Sequence, residues 1–330
     1  MAATIKKSKT TKAKPLRPAT YATDWPAYER GQLARGAHIV LLMSELQGAP
    51  APAVLEGKRP AHRPCVYSDE TIYAMCFLKL VLRQPFRVVE GMVRAWRDQV
   101  QGAWPVPDHT TLSRRMRRLE VELPELPAGE RHVFVVDSTG LKLSGQGEWN
   151  ARQHGVSGRR QWVKAHLVVE ANSGLIVEAT RTGGDASDEK QFERLLEAQP
   201  LRGNTVSADG AYHKHSCFTH VHSRGGKLLA PPPCNARRWK EEAPGIRPRN
   251  ELLQDFKTLG RQLWGYLSGY SRRALVECAN SRFKRLTGSR LAARHDAAQW
   301  VELRMRASWL NVCQRIWQVA GGTPAIAVPA

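Results

Sequence analysis

The chain has 330 residues, of which 42% are hydrophobic and 7% aromatic, so it is long and apolar enough for two or three folded modules. Its formal net charge of +20 at pH 7 and its pI near 10.2 are unusual for a metabolic enzyme. They predict a polyanionic partner, for which nucleic acid is a better candidate than an anionic membrane surface.

No apolar stretch approaches the roughly 20 residues that span a bilayer. The basic start of the chain also lacks the apolar region of a secretory signal. We therefore expect a cytoplasmic protein with no membrane partner.

Residues 1–20 form a basic segment without an acidic residue, which predicts a disordered tail. Such a tail either keeps the chain soluble or follows a DNA backbone. The pattern of residues 21–128 predicts a helical domain. One helix begins after Ser68 and ends before Pro85, a second covers 87–100, and a third begins near residues 108–110.

The third of these helices has two different faces. Leu112, Met116 and Leu119 form an apolar face, and the other face carries Arg114, Arg115, Arg117 and Arg118. Three short helices, the last rich in arginine, fit a helix-turn-helix-like DNA-binding domain. The alternative is an ordinary helix face in solvent. We interpret the four arginines as DNA contacts.

After residue 130 the pattern changes to strands that alternate with helices. Runs that predict strands occur at 133–137, 161–172, 175–184, 204–210 and 227–231. Helical patterns occur at 188–199 and 213–225. This order predicts an α/β domain over 129–330, with a mixed five-stranded sheet flanked by helices. Residues 234–250 are predicted to be a loop, followed by basic helices.

Two aspartates come directly after apolar runs of this sheet. Asp137 ends the run VFVVD, and Asp209 ends a short run and precedes Gly210. A carboxylate at the end of a core strand is costly to bury unless a cation compensates its charge. Either acid alone is well explained as the cap of a turn or helix. The two together predict carboxylates that meet at a sheet edge.

A third acid lies in the helical segment GYSRRALVECANSRFKRLTG. Tyr270, Arg273, Glu277 and Lys284 recur there at a spacing that places them on one helix face. The opposite face is apolar and would pack on the sheet; it comprises Leu275, Val276, Ala279, Phe283 and Leu286. Taken alone, Arg273 and Glu277 form an ordinary surface ion pair between residues four apart.

Together these motifs resemble the DDE transposases of bacterial insertion sequences, in particular the group whose third carboxylate lies in a Tyr-Arg-Glu-Lys signature. The motifs are VVDSTGLK around Asp137, ADGAY around Asp209 and Tyr-x2-Arg-x3-Glu-x6-Lys at 270–284, with a similar segment at 144–155. The resemblance covers roughly residues 60 to 320. His213 departs from the pattern, because many relatives have an acidic residue there.

The resemblance implies an RNase H-like catalytic domain within 129–330. The interval between Asp209 and Glu277 is too short for the large β insertion of some relatives. It also implies a protein that binds the terminal inverted repeats of an element as a homodimer on paired ends. Such a protein hydrolyses the phosphodiester at the element ends and transfers the freed 3′-OH into target DNA. Its expected location is the bacterial cytoplasm, in association with the nucleoid.

Hard oxygen ligands suit Mg²⁺, with Mn²⁺ as a substitute, and the scattered cysteines argue against zinc. Asp137, Asp209 and Glu277 are the expected catalytic residues and ligands of two metal ions, with Asp137 bridging both. Arg273 and Lys284 are expected to contact DNA phosphates. Tyr270 is expected to stack on a displaced base or to hydrogen-bond a phosphate.

Lys164 and His166 are two residues apart on the second predicted strand and therefore lie on the same face. We expect them to face this site, with Lys164 as a further DNA contact. Two alternatives remain for the whole protein. A metal-dependent nuclease of RNase H-like fold that does not transfer strands would need the same acids. A catalytically inactive DNA-binding regulator would be expected to lack at least one of them.

Overall fold

The structure is a computed structural model that describes residues 24–46, 67–127, 129–143, 162–184, 188–240 and 242–321. The predicted basic tail at 1–20 and the family-like segment at 144–155 lie outside these residues. No helix in the described part is both long and apolar enough to cross a membrane.

The helices before the sheet are α1 (Trp25–Glu45), α2 (Asp69–Leu82), α3 (Phe86–Gln99) and α4 (His109–Arg115). The start of α2 follows from its cap, because the Ser68 hydroxyl accepts a hydrogen bond from the backbone N–H of Thr71 at 3.2 Å. Asp108 caps α4 through the backbone N–H groups of two threonines in the same way. The three helices predicted in this region are confirmed.

The strands are β1 (Val133–Leu143), β2 (Trp162–Glu170), β3 (Ile176–Gly183), β4 (Thr205–Ala208), β5 (Lys227–Leu229) and β6 (Arg290–Leu291). Their order is β3-β2-β1-β4-β5, and β6 also pairs with β1. β2 runs antiparallel to β1 and β3, whereas β4 and β6 run parallel to β1 and β5 runs parallel to β4. The sheet is therefore mixed, as predicted.

The later helices are α5 (Asp188–Leu196), α6 (His215–Ser223), α7 (Ile246–Leu267), α8 (Ala274–Thr287) and α9 (Asp296–Val319). They cover both faces of the sheet. On one face Phe134 and Val136 of β1 pack with residues of α5 and α6, including Phe192 and Phe218. On the other face Val135 packs with α8 and α9. The predicted apolar face of α8 is confirmed, because its members lie in or against this second core.

Two boundaries differ from the sequence-based prediction. The sheet has a sixth strand, β6, which is too short for any apolar pattern to reveal it. Helix α7 begins at Ile246, inside the segment 234–250 that was predicted to be a loop. A proline in its first turn, Pro248, suggested a loop but is tolerated there, since the first N–H groups of a helix have no partner within it. Between Asp209 and Glu277 the described residues contain one strand, β5, and no large β insertion.

Helix α9 belongs to two cores at once. Val301, Met305 and Trp309 pack with α2, α3 and α4, whereas Leu303 and Leu310 pack on the sheet. The helix therefore joins the N-terminal helices to the sheet through a shared apolar interior.

A buried ion pair on α9 also fixes the segment that contains β6. The Glu302 and Arg306 side chains are only 4% and 3% exposed and lie 2.6 Å apart. Glu302 accepts hydrogen bonds from the backbone N–H groups of Ala292 and Ala293. Arg306 donates to the carbonyl oxygens of Gly288 and Arg290. These bonds engage both charges in a place where an unpaired charge would be strongly destabilising, and Nε is the Arg306 donor that is buried without a hydrogen-bond partner among the described residues.

Candidate active site

Asp137 and Asp209 lie side by side on neighbouring parallel strands. β1 and β4 pair as far as Val136 and Ala208, so each aspartate is the next residue in register. Strands paired in this way are about 4.8 Å apart. Asp137 is not the last residue of its strand, as had been predicted, because β1 continues to Leu143.

The continuation of β1 creates the opening in which the aspartates lie. On the side of β1 away from β2, β4 pairs only up to Val136 and β6 pairs only from Lys142. Among the described residues, no strand pairs with β1 on that side between these two pairings, in the stretch that begins with Asp137. The aspartates lie at this interruption of the sheet, where the 3-10 turn Tyr270–Arg273 contacts β1 and β4.

The environment of Asp137 favours its neutral form. Burial raises the pKa of this carboxyl, and the negative charges of Asp209 and Glu277 raise it further. The backbone N–H of Ser138 and the positive charge of Arg273 oppose the rise.

Helix α8 supplies the third acid at its first turn. Glu277 is exposed and forms an ion pair with Arg273, whose side chain is 22% exposed against 55% for the glutamate. Tyr270 and Arg273 themselves lie on a short 3-10 turn, Tyr270–Arg273, rather than on α8. The Tyr-Arg-Glu-Lys residues were predicted on one continuous helix, and this detail is wrong, although Arg273 still reaches Glu277.

Tyr270 and Lys284 lie at the two ends of this segment. The Tyr270 ring packs against Trp264, with 5.1 Å between ring centroids. Burial raises the pKa of its hydroxyl, with contributions from the charges of Asp209 and Glu277. Lys284 lies in the last turn of α8, about 10 Å beyond Glu277 along the helix axis. Tyr270 is therefore part of the carboxylate cluster, whereas Lys284 lies at its margin.

Asn280 is a site residue that was not predicted from the sequence. It lies one turn after Glu277 on α8 and is 9% exposed. Its side-chain amide donates a hydrogen bond to Oδ2 of Asp137 at 3.0 Å, and its Oδ1 is buried without a hydrogen-bond partner in the structure. The spacing of three residues from Glu277 was the only signal in the sequence, because it places both side chains toward the same side of α8.

The donor set fits a hard divalent cation, although the side chains do not form a closed cage. Among the described residues, no three His, Cys, Asp or Glu side chains converge closely enough to hold a metal ion. Glu277 is paired with Arg273 and Asp137 with Asn280. Three carboxylates with mutual repulsion and a buried amide oxygen without a partner are the ligand types that Mg²⁺ or Mn²⁺ favours.

The expectation that Lys164 and His166 face this site is wrong. In the β1–β2 register Asp137 pairs with Leu167, whereas His166 pairs with Ser138 and Lys164 with Gly140. Paired residues share a face of the sheet, so both side chains lie on the face opposite Asp137. His166 is fully buried and hydrogen-bonds the hydroxyl of Thr182 at 2.8 Å.

The arginines of the α4 region divide into two groups. Arg114, Arg117 and Arg118 are exposed. Arg115 instead donates hydrogen bonds to the Tyr67 carbonyl at 3.2 Å and to Asp69 at 2.5 Å. The apolar face predicted for this helix is confirmed, because Leu112, Met116 and Leu119 are buried.

His213 forms a buried pair with Arg249. Its Nδ1 contacts the Ala230 carbonyl oxygen at 2.9 Å, and its Nε2 accepts a hydrogen bond from the Arg249 guanidinium at 2.9 Å. Burial lowers the pKa of His213 to about 4, and the charge of Arg249 contributes to that shift. The imidazole is therefore neutral at pH 7, as an acceptor for a cation must be.

Comparison with known structures returns DNA-recombination assemblies at low similarity. A piggyBac transposase synaptic complex with hairpin DNA is 9% identical, with 92% of this chain and 78% of that chain covered and a TM-score of 0.37. A Drosophila P element transposase strand transfer complex is 9% identical, with 76% and 64% covered and a TM-score of 0.32. A simian T-cell lymphotropic virus intasome in complex with PP2A regulatory subunit B56 gamma is 17% identical, with 51% and 57% covered and a TM-score of 0.23. At TM-scores this low, the likenesses carry no argument about this protein.

Comparison with protein families is more decisive. A family model described as a transposase DDE domain matches residues 128–312, which include Asp137, Asp209 and Glu277. A second model with the same description matches residues 33–146. The first match alone spans more than half of the chain, and the protein therefore belongs to the transposase DDE domain family.

Proposed function

We propose that this transposase acts on the ends of an insertion sequence. It binds the terminal inverted repeats, hydrolyses the phosphodiester at the element ends and transfers the resulting 3′-OH into target DNA, as a homodimer on paired ends. The observation that carries the proposal is that Asp137 and Asp209 are the next residues in register after the last pair of β1 and β4, and that Asn280, one turn after Glu277 on α8, donates a hydrogen bond to Asp137. The family match supports the same reaction class.

In this proposal Asp137, Asp209 and Glu277 hold two Mg²⁺ ions, for which Mn²⁺ can substitute. When bound, the ions activate the attacking oxygen and stabilise the leaving oxygen of the phosphodiester. Asp137 would be the ligand common to both ions, because Asp209 follows it in register on the neighbouring strand and Asn280, on the helix that carries Glu277, donates a hydrogen bond to its Oδ2. Glu277 has an exposed side chain and can leave Arg273 for a metal ion at little cost.

The cations beside the acids bind and orient the substrate. An Arg273 guanidinium that is released from Glu277 would bind a phosphate near the cut, with two donors matched to two phosphate oxygens. Lys284, farther along α8, binds the backbone as a point charge. Tyr270 stacks on a displaced base or donates a hydrogen bond to a phosphate. These roles position the scissile bond against the carboxylates.

The N-terminal helices supply a DNA-binding surface in the same proposal. α2, α3 and α4 form a helix-turn-helix-like unit over 21–128, and Arg114, Arg117 and Arg118 are exposed for contacts with the repeat. Arg115 is better assigned to holding α4 against the start of α2, because its donors are already engaged with Tyr67 and Asp69.

The experiment compares wild type with Asp137→Ala, Asp209→Ala and Glu277→Ala on duplexes that carry the element's terminal repeats. We expect each substitution to abolish Mg²⁺-dependent cleavage while repeat binding persists. Robust cleavage by any one of the three variants would refute the carboxylate assignment. Strand transfer of a pre-cleaved end into a plasmid then separates the transposase from a nuclease that only cuts.

A further inference from the structure

The segment that follows β5 carries an exposed group of cations. We call residues 232–240 the Trp239 loop. Within it Arg237, Arg238 and Lys240 are exposed, and none forms an ion pair with an acidic side chain among the described residues. Three cations on a short exposed loop form a surface that is complementary to a polyanion.

The loop is fixed to the body of the protein by a buried arginine. Arg249 of α7 is 1% exposed and donates a hydrogen bond to the Arg237 carbonyl oxygen at 2.6 Å. Its guanidinium also lies over the Trp239 ring, 4.0 Å from the ring centroid. Two neutral side chains, His213 and Asn250, accept further hydrogen bonds from Arg249. This buried cation adds to the positive potential of the loop.

Asn250 holds the same loop by a second pair of bonds. Its side-chain oxygen accepts from the Trp239 N–H, and its side-chain nitrogen donates to the Trp239 carbonyl, both at 3.0 Å. The Asn250 amide thus bonds both backbone groups of Trp239, as a neighbouring strand would. The loop backbone is therefore held at Arg237 and at Trp239, while the cationic side chains point away from these bonds into solvent.

Sheet geometry places the beginning of this loop beside the second aspartate. β4 and β5 are parallel, with Ser207 paired to Leu229, so both strands end at the same edge of the sheet. A Cβ on Gly210, the residue after Asp209, would lie 3.4 Å from the Pro231 carbonyl oxygen. The chain thus enters the loop in contact with the residue next to Asp209, on the side away from Asp137.

We propose that the Trp239 loop is a clamp for the DNA backbone, in which Arg237, Arg238 and Lys240 bind phosphates that flank the scissile bond and Arg249 and Asn250 are positioning residues. The proposal rests on the proposed function for the identity of the polyanion and for the scissile bond that the phosphates flank. A strand that crosses from Asp137 to Asp209 continues over β5 to this loop. An anchored loop binds with a smaller loss of conformational entropy than a free one.

The test measures how binding to a fluorescent random-sequence duplex of about 30 base pairs depends on salt concentration, in the presence of a metal chelator. Each phosphate contact contributes about 0.9 to the slope of log K against log salt. The variant Arg237→Gln/Arg238→Gln/Lys240→Gln should reduce that slope by about 2 to 3. The matched control is Arg131→Gln/Arg202→Gln/Lys227→Gln. Its two arginines and one lysine are also exposed, but Arg131 and Arg202 precede β1 and β4 and Lys227 is the first residue of β5, so all three lie at the opposite sheet edge.

A reduced slope in the loop variant alone supports the clamp. Equal slopes in both triple variants and wild type, or equal reductions in both, overturn it. The positioning role is tested with Asn250→Ala, which retains every cation. It should bind about 2- to 10-fold more weakly with an unchanged slope, since the loop must then be ordered on binding, and trypsin should cut faster after Arg238. Wild-type affinity in a folded Asn250→Ala protein overturns that role.

This assay contains no divalent metal and detects no cleavage, so it separates the clamp from the proposed function. A protein that transposes DNA but has unchanged slopes would contradict the clamp alone. A protein that binds with the expected slope difference but never cuts DNA would contradict the transposase proposal alone.

Discussion

Two arginine–glutamate pairs with the same spacing in the sequence serve different regions of the protein. Arg273 and Glu277 lie at the start of α8, with side chains 22% and 55% exposed. Glu302 and Arg306 lie within α9, with side chains 4% and 3% exposed. Both are pairs four residues apart, and nothing in that spacing distinguishes them. The difference lies in burial and in the number of further partners.

Exposure leaves the first pair free to exchange partners. A solvent-exposed ion pair contributes on the order of 0.5 kcal/mol, so its members can be drawn to a metal ion or a phosphate at little cost. The second pair is satisfied by four backbone groups of the segment 288–293 and cannot be opened without leaving a buried charge. The same pattern is therefore suited to chemistry on α8 and to stability on α9.

The largest expected effect is the loss of cleavage in Glu277→Gln. Removal of one metal-ligand charge should slow Mg²⁺-dependent cleavage by at least about 10³-fold, since it removes several kcal/mol of transition-state stabilisation. The free energy of unfolding should change by less than about 0.5 kcal/mol, because the side chain is exposed. Single-turnover cleavage and urea unfolding measure the two effects. A Glu277→Gln variant that cleaves normally, or that is strongly destabilised, would contradict the assignment of the exposed pair to chemistry and the buried pair to stability.

The counterpart on α9 is Glu302→Gln, which should destabilise the protein by about 3–5 kcal/mol because it leaves the Arg306 charge buried and unpaired. Urea unfolding measures the change. The matched control is Glu251→Gln, whose partner Arg247 is 92% exposed and whose loss should cost less than about 0.5 kcal/mol. Equal costs at the two positions would show that burial does not decide the role of such pairs.

Asn280→Ala tests whether the amide on α8 belongs to the site. We expect Mn²⁺ affinity to fall by about 10- to 100-fold, as it does when a residue that orients a metal ligand is removed. Titration calorimetry measures the affinity. Asn311→Ala is the control, since Asn311 is another buried asparagine but bonds the backbone of Ile176 instead. Asn311→Ala should lose stability and keep its metal affinity. If Asn280→Ala kept its metal affinity and Asn311→Ala lost it, Asn280 would not belong to the site.

The smallest expected effect is a pH-dependent gain in stability in Asp137→Asn. Because the pKa of Asp137 is raised by burial and by the other two acids, the folded protein binds this proton more tightly than the unfolded chain. Its contribution to stability is present below the unfolded pKa of about 3.9 and is lost as pH rises through the folded value. In a chelator, the Tm of the variant should therefore exceed that of wild type increasingly as pH rises. Mg²⁺ should reduce this difference, and a Tm gap that is independent of pH would contradict the assignment.

Local signals made much of the fold predictable. Ser68 and Asp108 identified the starts of α2 and α4, because capping depends only on residues within one helical turn. Apolar runs identified the five longer strands, because these runs are also local features of the sequence. The sequence pattern also predicted that Asp137 and Asp209 lie close together, since both follow apolar runs of the same sheet.

The missed features depend on contacts between distant segments. Whether Lys164 faces Asp137 is decided by the register between β1 and β2, which neither strand encodes alone. β6 exists because its two residues are held beside β1 by Glu302 and Arg306. The pairing of His213 with Arg249 joins residues 36 positions apart. The spacing of Asn280 from Glu277 places both on one side of α8, but only the hydrogen bond to Asp137 identifies Asn280 as a site residue.

The two-sided packing of α9 has a consequence for where DNA would be cut. One side of this helix lies in the core beneath α4, and the other lies in the core beneath the carboxylates. A hinge between the two regions would have to withdraw apolar side chains from one of these cores, at about 25 cal/mol per Å² exposed. In the proposed function, DNA bound by the arginines near α4 would therefore reach the carboxylates at a fixed distance. We expect the cut to fall at a constant number of base pairs from the contacted sequence.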